Sequence, residues 1–373
     1  MKKLFLIVNE DRFLLSHRQE IVREAIALHY DVTIVAKDTG KRTEIEALGA
    51  RFIDLPVNPT GMNPVQELKT LTFLVRLFKQ EKPDIVHNVG LKCILWGALA
   101  AKLTKRTLVV NAVSGLGIMF SEEKLSLYAK AILWVLRFSD NKKRSVYIFQ
   151  NSDDKGLFIK HNIATEEQCY FTKGSGVNLS EYIHTPEPEN EPIVVIFTGR
   201  MVAEKGILVL ADAAEILRAK YQDRVVFRLC GGLSDNPKAL TEEELKSRCD
   251  GKYIQWLGHR TDIKELLQKS HIVAFPSYYR EGVPKSLIEA CASGRPIITT
   301  DSIGCRDVVE DNFNGFKIPI KDAEALANRL QILFENKALR RKMGFNARTV
   351  AERDFSVENV VKTHMTIYNR VNG

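Results

Sequence analysis

Residues 275–290 of the chain read Phe-Pro-Ser-Tyr-Tyr-Arg-Glu-Gly-Val-Pro-Lys-Ser-Leu-Ile-Glu-Ala. An apolar run of strand length, residues 271–275, leads into this stretch, and a second apolar run, Ile297–Thr300, follows it. Between the two runs, residues 285–293 have helix-forming composition, and Gly294 is typical of a helix C-terminus. The stretch therefore predicts a strand–helix–strand unit of a parallel sheet.

The start of the predicted helix is suited to an anion. Pro284 fits the first helical turn, where its missing N–H costs nothing. We expect the backbone N–H groups of the next three residues, Lys285, Ser286 and Leu287, to face an anion there. Glu281 lies just before this start, and Glu289 lies about five residues inside the helix, roughly 7 Å along its axis at 1.5 Å per residue.

The spacing of Glu281 and Glu289 has two interpretations. Two glutamates eight residues apart occur often by chance on solvated surfaces. Alternatively, the carboxylates flank the anion and accept hydrogen bonds from hydroxyl groups. A nucleotide-sugar, with hydroxyl-rich groups on both sides of a diphosphate, fits the second interpretation, which the strand, proline and glycine context favours.

This context resembles the E-x7-E signature of retaining glycosyltransferases of family 4, which have the GT-B fold. In that family the first glutamate contacts the donor sugar and the second contacts the ribose. The resemblance therefore implies a catalytic role for Glu281 and donor binding by Glu289. It also implies donor binding by the intervening Gly282 and Val283 and by residues 285–287.

A second motif follows the apolar run Ile193–Thr198 and reads Gly199-Arg200-Met-Val-Ala-Glu-Lys205-Gly206. Two cations five residues apart at a strand end can grip two phosphates, the arginine as a bidentate fork and the lysine as a point charge. The alternative is a solvated basic turn. The motif resembles the Gly-Arg…Lys-Gly motif of the same family, which implies catalytic roles for Arg200 and Lys205 and donor binding by Gly199. The resemblance also makes Arg260 a candidate for the base site.

The length of 373 residues predicts two domains. Residues 184–192 are proline-rich and acidic, which is typical of a linker. We expect an N-terminal acceptor-binding Rossmann-like domain over residues 1–183, a donor-binding Rossmann-like domain over residues 193–355, and a C-terminal helix over residues 356–373 that crosses back to the first domain. The GT-B resemblance implies that the two parallel sheets face each other across a cleft.

The first half alternates strand and helix signals, which predicts a parallel sheet with ligands at the carboxyl ends of its strands. The predicted loop from Asn9 to Arg18 follows the first strand and ends in Ser16-His17-Arg18. Another loop contains Ser114 and Gly115, where many family members carry a histidine. We expect five residues of these two loops to bind the acceptor: Ser16, His17, Arg18, Ser114 and Gly115. The alternative for His17 is a structural role, which is common for a lone histidine.

The charge is uneven, since residues 1–180 carry seven of the eight net positive charges. A basic first half implies an acidic partner, and without a recognition motif for nucleic acid we expect an anionic membrane surface or a lipid diphosphate. The apolar helix predicted over Leu125–Phe138 is too short to span a bilayer, so it packs in the core, lies at the membrane interface, or does both. The six cysteines form no CxxC pair, which indicates a reducing cytosol and no zinc site.

The resemblance implies transfer of a hexose or an N-acetylhexosamine, with retained configuration, from a nucleotide-diphosphate sugar, with UDP as the expected nucleotide. The expected acceptor is a polyprenyl-diphosphate-linked saccharide of bacterial glycan assembly. We expect no metal and no cofactor, because the two cations and the helix start can stabilise the leaving diphosphate. The expected location is the cytoplasm, peripheral on the inner face of the cell membrane. The alternatives are a nucleotide-sugar epimerase on the same fold and a non-catalytic nucleotide-binding protein.

Overall fold

The computed structural model describes residues 1–58, 63–104, 107–117, 120, 125–189, 192–234 and 239–372. The chain forms two compact units. Unit 1 consists of residues 1–175 and 357–373, and unit 2 consists of residues 176–356.

Unit 1 contains a seven-stranded parallel sheet. Its strands are β1 (Lys3–Glu10), β2 (Asp31–Lys37), β3 (Arg51–Asp54), β4 (Ile85–Val89), β5 (Leu108–Val113), β6 (Ser145–Phe149) and β7 (Cys169–Phe171). They pair in the order β3-β2-β1-β4-β5-β6-β7. The helices between them are α1 (Asp11–His17), α2 (Gln19–Ala27), α3 (Arg42–Glu46), α4 (Pro64–Glu81), α5 (Leu91–Thr104), α6 (Leu127–Ser139) and α7 (Ser152–Lys160).

Unit 2 contains a six-stranded parallel sheet. Its strands are β8 (Ile193–Thr198), β9 (Val225–Cys230), β10 (Ile254–Trp256), β11 (Ile272–Phe275), β12 (Ile297–Thr300) and β13 (Gly315–Ile318), which pair in the order β10-β9-β8-β11-β12-β13. Its helices are α8 (Ile207–Tyr221), α9 (Glu242–Arg248), α10 (Ile263–Gln268), α11 (Lys285–Ala292), α12 (Ala323–Glu335) and α13 (Lys337–Asp354).

The parallel α/β architecture expected for both halves is confirmed. All six residues of β8 and all five of β4 are buried. Strands of a parallel sheet covered on both faces read as continuous apolar runs, because neither face meets water. This explains why the short apolar runs of the sequence mark the strands so well.

The first loop of unit 1 differs from the prediction, because residues 11–17 form helix α1. Its first residue, Asp11, is buried and accepts hydrogen bonds from the backbone N–H groups of Thr39, at 2.7 Å, and of Lys41, at 3.0 Å. Burial alone would raise the pKa of Asp11, but hydrogen bonds from the Thr39 hydroxyl and from the N–H groups of Thr39, Lys41 and Arg12 outweigh it and lower the pKa. The segment that the sequence predicted to be a loop is therefore a helix, and the buried carboxylate of Asp11 anchors its start to the segment after β2.

The two units divide between Ser175 and Gly176, ahead of the proline-rich segment predicted to be the linker. Within that segment Glu187 is buried and forms an ion pair with Arg340 of α13, at 2.7 Å. Arg295 donates a hydrogen bond to the hydroxyl of Thr185 at 2.7 Å. The described part of the segment thus packs onto unit 2, because two buried arginines use its acceptors.

The chain leaves unit 2 beside the point where it enters. Val177 forms a parallel bridge with Ser356, and its N–H donates to the carbonyl of Phe355 at 2.8 Å. The next element, α14 (Val357–Tyr368), belongs to unit 1, where Ile367 and Tyr368 share an apolar core with Leu6 of β1.

Candidate active site

The sheet of unit 2 reverses its strand order between β8 and β11, which are hydrogen-bonded neighbours. In open parallel sheets such a reversal leaves a crevice at the carboxyl ends of the two strands, where ligands bind. The loop after β8 carries Gly199, Arg200 and Lys205, and the loop after β11 carries Glu281. The two sequence motifs therefore meet at this switch point.

Backbone contacts hold the two loops together. The carbonyl of Glu204 accepts hydrogen bonds from the N–H groups of Tyr278, at 2.9 Å, and Tyr279, at 3.1 Å. Gly206 has a φ of +81°, and a Cβ there would lie 2.1 Å from the carbonyl oxygen of Pro276. The glycine after Lys205 is therefore required both by the left-handed backbone and by the close approach of the second loop.

Lys205 and Glu281 form the central contact of this site. The Nζ atom of Lys205 lies 2.6 Å from Oε1 and 2.7 Å from Oε2 of Glu281. The side chains are 12% and 18% exposed, so a ligand can reach both. Nζ also lies 5.0 Å from the centroid of the Phe275 ring, which stabilises the cation from the apolar side. Because an ammonium has three N–H donors, this lysine can hold the carboxylate and still donate to a phosphate.

Arg200 is exposed, and its guanidinium has no hydrogen-bond partner among the residues that the structure describes. Its guanidinium is therefore available to an anion. The neighbouring Gly199 donates its N–H to the carbonyl of Cys230 at 2.9 Å, and its own carbonyl would lie 1.7 Å from a Cβ at Gly231. The end of β8 is thus fixed against the end of β9.

Glu289 of α11 lies nearly buried, with 13% of its side chain exposed. Its Oε1 accepts a hydrogen bond from the hydroxyl of Tyr182 at 2.9 Å and lies 3.8 Å from Nζ of Lys285. Burial raises the pKa of Glu289, while the charge of Lys285 and the tyrosine hydroxyl oppose that rise. Tyr182 is a residue that the sequence analysis missed, because it lies 107 positions away in a stretch without a motif.

The start of α11 differs in one respect from the prediction. Pro284 is the N-cap residue, and the N–H of Leu287 donates to its carbonyl at 3.1 Å. Leu287 is also fully buried, so it is not available for an anion. Gly282 and Val283 are buried, and Ser286 and Lys285 are half-buried.

Arg260 lies on the surface after β10, with its guanidinium bound by the carboxylate of Asp262 through two hydrogen bonds of 2.8 and 2.5 Å. Its donor fork is therefore engaged by a neighbour two residues away. The predicted contact with the base stays a prediction, and it requires this pair to open or the backbone to act instead.

The predicted acceptor residues of unit 1 fall in two places, the end of helix α1 and the segment directly after β5. Ser16 and His17 are in α1, where the serine hydroxyl lies 2.6 Å from Nδ1 of the histidine, which stacks on Phe13 at 4.2 Å. Ser114 and Gly115 follow β5 and are half-buried, and Gly115 has a φ of +109°. Their role in acceptor binding stays a prediction.

Arg18 differs from the prediction, because it is 3% exposed and points into unit 1. Its guanidinium lies among His87 of β4 and His364 and Tyr368 of α14, all fully buried. Nδ1 of His87 lies 2.6 Å from the hydroxyl of Tyr368, whereas Nε of Arg18 has no partner among the described residues. We call these four residues the buried basic cluster, and we leave Arg18 out of the ligand site.

Within the described residues, no group of three or more histidine, cysteine, aspartate and glutamate side chains is placed to hold a metal ion. In the same residues, every helix is too short or too polar to cross a membrane. These observations add no further functional group to the site.

Two family models match the chain. The model described as Glycosyl transferase 4-like matches residues 3–147, and the model described as Glycosyl transferases group 1 matches residues 181–350. The first match lies in unit 1 and the second in unit 2.

Two characterised proteins are similar over most of the chain. The first is the N,N'-diacetylbacillosaminyl-diphospho-undecaprenol alpha-1,3-N-acetylgalactosaminyltransferase of Campylobacter jejuni, 27% identical over 91% of both chains. The second is the UDP-Gal:alpha-D-GlcNAc-diphosphoundecaprenol alpha-1,3-galactosyltransferase of Escherichia coli, 25% identical over 83% of this chain and 81% of the other.

Solved structures share the fold over nearly the whole chain. A glycosyltransferase from Rickettsia africae superposes with a TM-score of 0.80 at 20% identity, covering 99% of this chain and 98% of the other. HepE from Anabaena, in complex with UDP and glucose, superposes with a TM-score of 0.78 at 18% identity, covering 99% and 100%.

Proposed function

Because the chain belongs to the glycosyltransferases that join a 4-like domain to a group 1 domain, we propose that it transfers a hexose or an N-acetylhexosamine from a UDP-sugar to a saccharide linked to a polyprenyl diphosphate. The two family models and the superposed structures confirm the family and the GT-B fold that we expected from the sequence. The acceptor class is supported by the relatives, whose names specify undecaprenyl-diphosphate-linked saccharides. The epimerase and non-catalytic alternatives are not favoured, since these relatives are transferases.

The proposed chemistry follows from the charges at the switch point of unit 2. As the bond from the sugar to the diphosphate breaks, negative charge grows on the leaving group and positive character on the anomeric carbon. Arg200, Lys205 and the N-terminal end of α11 stabilise the leaving diphosphate. Glu281 orients the sugar through its hydroxyls, and Glu289 accepts from the ribose. A hydroxyl group of the acceptor attacks the anomeric carbon on the same face from which the diphosphate leaves. An oxygen of the leaving phosphate takes the proton of that hydroxyl group. The new glycosidic bond therefore has the same configuration as the bond that was broken.

The contact between Lys205 and Glu281 carries this proposal, because it joins the diphosphate motif to the sugar motif at one point. We test it with purified protein, radiolabelled UDP-glucose, UDP-galactose and their N-acetylated counterparts, and an undecaprenyl-diphosphate-linked saccharide acceptor. One donor should label the lipid. Glu281→Ala should lower the transfer rate at least about 100-fold, because the sugar loses its orientation.

The matched control is Glu335→Ala, which removes a glutamate that pairs with Lys220 at 3.1 Å elsewhere in unit 2. That variant should transfer at the rate of the wild type. Absence of transfer from every donor, or equal rates for Glu281→Ala and the wild type, would contradict the proposal.

We further propose that α6 rests on an anionic membrane surface near the lipid acceptor. The helix buries Ile132, Leu133 and Leu136. The other face of α6 exposes four apolar or aromatic side chains and two cations. The former are Leu127, Tyr128, Trp134 and Phe138, and the latter are Lys130 and Arg137. Lys142, Lys143 and Arg144 follow and are exposed. Exposed aromatic residues with flanking cations are typical of interfacial helices.

The membrane proposal is tested with vesicles. The protein should co-sediment with phosphatidylglycerol vesicles more than with phosphatidylcholine vesicles, and Trp134→Ser should weaken that binding. The control is Ile216→Ser, which changes an exposed apolar residue of unit 2. Equal sedimentation with both lipids, or no effect of the Trp134 change, would contradict a membrane role for α6.

A further inference from the structure

We propose that Tyr182 is a positioning residue for nucleotide recognition: its hydroxyl holds the carboxylate of Glu289 so that Oε2 faces the ribose hydroxyls. This inference rests on the proposed function, because it assigns the ribose to Glu289. Tyr182 reaches Glu289 from the segment in which the chain enters unit 2.

The geometry of the carboxylate supports this role. The Tyr182 hydroxyl at 2.9 Å and the Lys285 ammonium at 3.8 Å both approach Oε1. Among the residues that the structure describes, neither of these contacts uses Oε2, so that oxygen is left for a ligand. A nearly buried carboxylate with one fixed oxygen has few orientations, so its second oxygen is aimed before the nucleotide arrives.

The backbone of Tyr182 is itself fixed to the helix that carries Glu289. One guanidinium nitrogen of Arg348 donates to the carbonyl of Tyr182 at 2.6 Å and to the carbonyl of Ala292, the last residue of α11, at 2.8 Å. A second nitrogen lies 3.5 Å from the carbonyl of Leu179. The tyrosine and the glutamate are thus joined twice, once through their side chains and once through Arg348.

The hydroxyl also favours the ionised carboxylate. Burial raises the pKa of Glu289, and the hydrogen bond from Tyr182 works against that rise. A protonated carboxyl is a weaker acceptor for ribose hydroxyls, because its remaining oxygen no longer carries a negative charge. Removing the hydroxyl should therefore raise the pKa of Glu289 further and weaken ribose binding first at acid pH.

The test compares the binding of UDP and of 2′,3′-dideoxy-UDP by calorimetry from pH 5 to pH 8. The wild type should prefer UDP. Tyr182→Phe should bind UDP roughly tenfold more weakly, since a hydrogen bond to a charged group is lost. Its affinity for the dideoxy compound should stay unchanged, and the acid limb of UDP binding should move to higher pH.

The control is Tyr221→Phe, which removes another tyrosine hydroxyl of unit 2 that donates to a glutamate, Glu335, at 2.5 Å. It should preserve the preference for UDP. The ratio of the two affinities remains informative even where a variant is less stable, because partial unfolding lowers both affinities alike. In a Glu289→Gln background, Tyr182→Phe should have no further effect on the ratio.

The outcomes separate this inference from the proposed function. If the wild type prefers UDP and Tyr182→Phe keeps that preference at every pH, the role of Tyr182 is wrong and the donor site stands. If the wild type binds both compounds equally, the ribose assignment of Glu289 is wrong, and the inference is wrong with it. If it binds no nucleoside diphosphate of any base, the proposed function itself is contradicted.

Discussion

Unit 2 brings Lys205 and Glu281 together in two loops at the ends of β8 and β11, where both side chains remain partly exposed. Unit 1 instead buries Arg18 with two histidines and a tyrosine between β4 and α14, with Nε of the arginine left without a partner among the described residues. The first group pairs opposite charges within reach of a ligand. The second group places one cation and two neutral bases where water does not reach.

The difference teaches that location in the fold, more than residue type, separates a ligand site from a structural cluster. A partly exposed ion pair costs little to maintain and can exchange partners with a substrate. A fully buried cation without an acid is costly and interacts with nothing outside the protein. We therefore expect changes in unit 2 to affect catalysis and changes in the buried basic cluster to affect stability.

The largest expected effect is on catalysis. Lys205→Met should lower kcat by roughly 100-fold to 1,000-fold, because a cation that stabilises the leaving diphosphate is lost. The free energy of unfolding should fall by only about 1 to 3 kcal/mol, because Glu281 loses its cation but remains partly exposed to water. Rates of sugar transfer and urea unfolding measure the two quantities. Lys220→Met is the matched control and should change neither the transfer rate nor the unfolding free energy. A transfer rate that Lys205→Met leaves unchanged would contradict the role of unit 2 as the ligand site.

The next effect is on the stability of unit 1 in acid. Burial, and then the nearby positive charges, lower the pKa of His87 well below its usual range and that of His364 to about 3. The unfolded chain binds these protons below about pH 6.5 and the folded chain does not, so stability is complete above that pH and falls below it. Between pH 7 and pH 5 we expect a loss of roughly 2 kcal/mol from His364 and a further loss in the same direction from His87.

Urea unfolding measures this loss in a Trp256→Phe background, because the two remaining tryptophans, Trp96 and Trp134, both lie in unit 1. His364→Phe should remove about half of the acid sensitivity, whatever its effect at neutral pH. An unfolding free energy that is constant from pH 7 to pH 5 would show that the histidines are protonated in the folded state.

The smallest effect is expected for Arg18→Met in the same background. Among the described residues Arg18 has no acidic partner, so replacing this buried cation by an apolar side chain of similar length should leave the unfolding free energy unchanged or raise it by about 1 kcal/mol. Sugar transfer should continue at the wild-type rate. If Arg18→Met instead abolished sugar transfer without changing stability, Arg18 would have to be assigned to acceptor binding. The proposed difference between a ligand site in unit 2 and a structural cluster in unit 1 would then be wrong.

The sequence allowed the sheet of each unit to be predicted, because short apolar runs mark most of the buried strands, as in β8. The two motifs around Lys205 and Glu281 were also recognisable, since each lies within one loop. Tyr182 could not be found, because it reaches Glu289 only through the fold. The burial of Arg18 was equally hidden, since its neighbours His364 and Tyr368 come from the far end of the chain.

The core of unit 1 has a consequence for biosynthesis. It contains Ile367 and Tyr368, which a ribosome adds after all of unit 2, whose two ends already meet at Val177 and Ser356. The unit whose strands come first in this sequence is thus completed only after every residue of unit 2 has been added. A premature stop codon after residue 356 would leave every residue of unit 2 in the product and remove the residues that complete the core of unit 1.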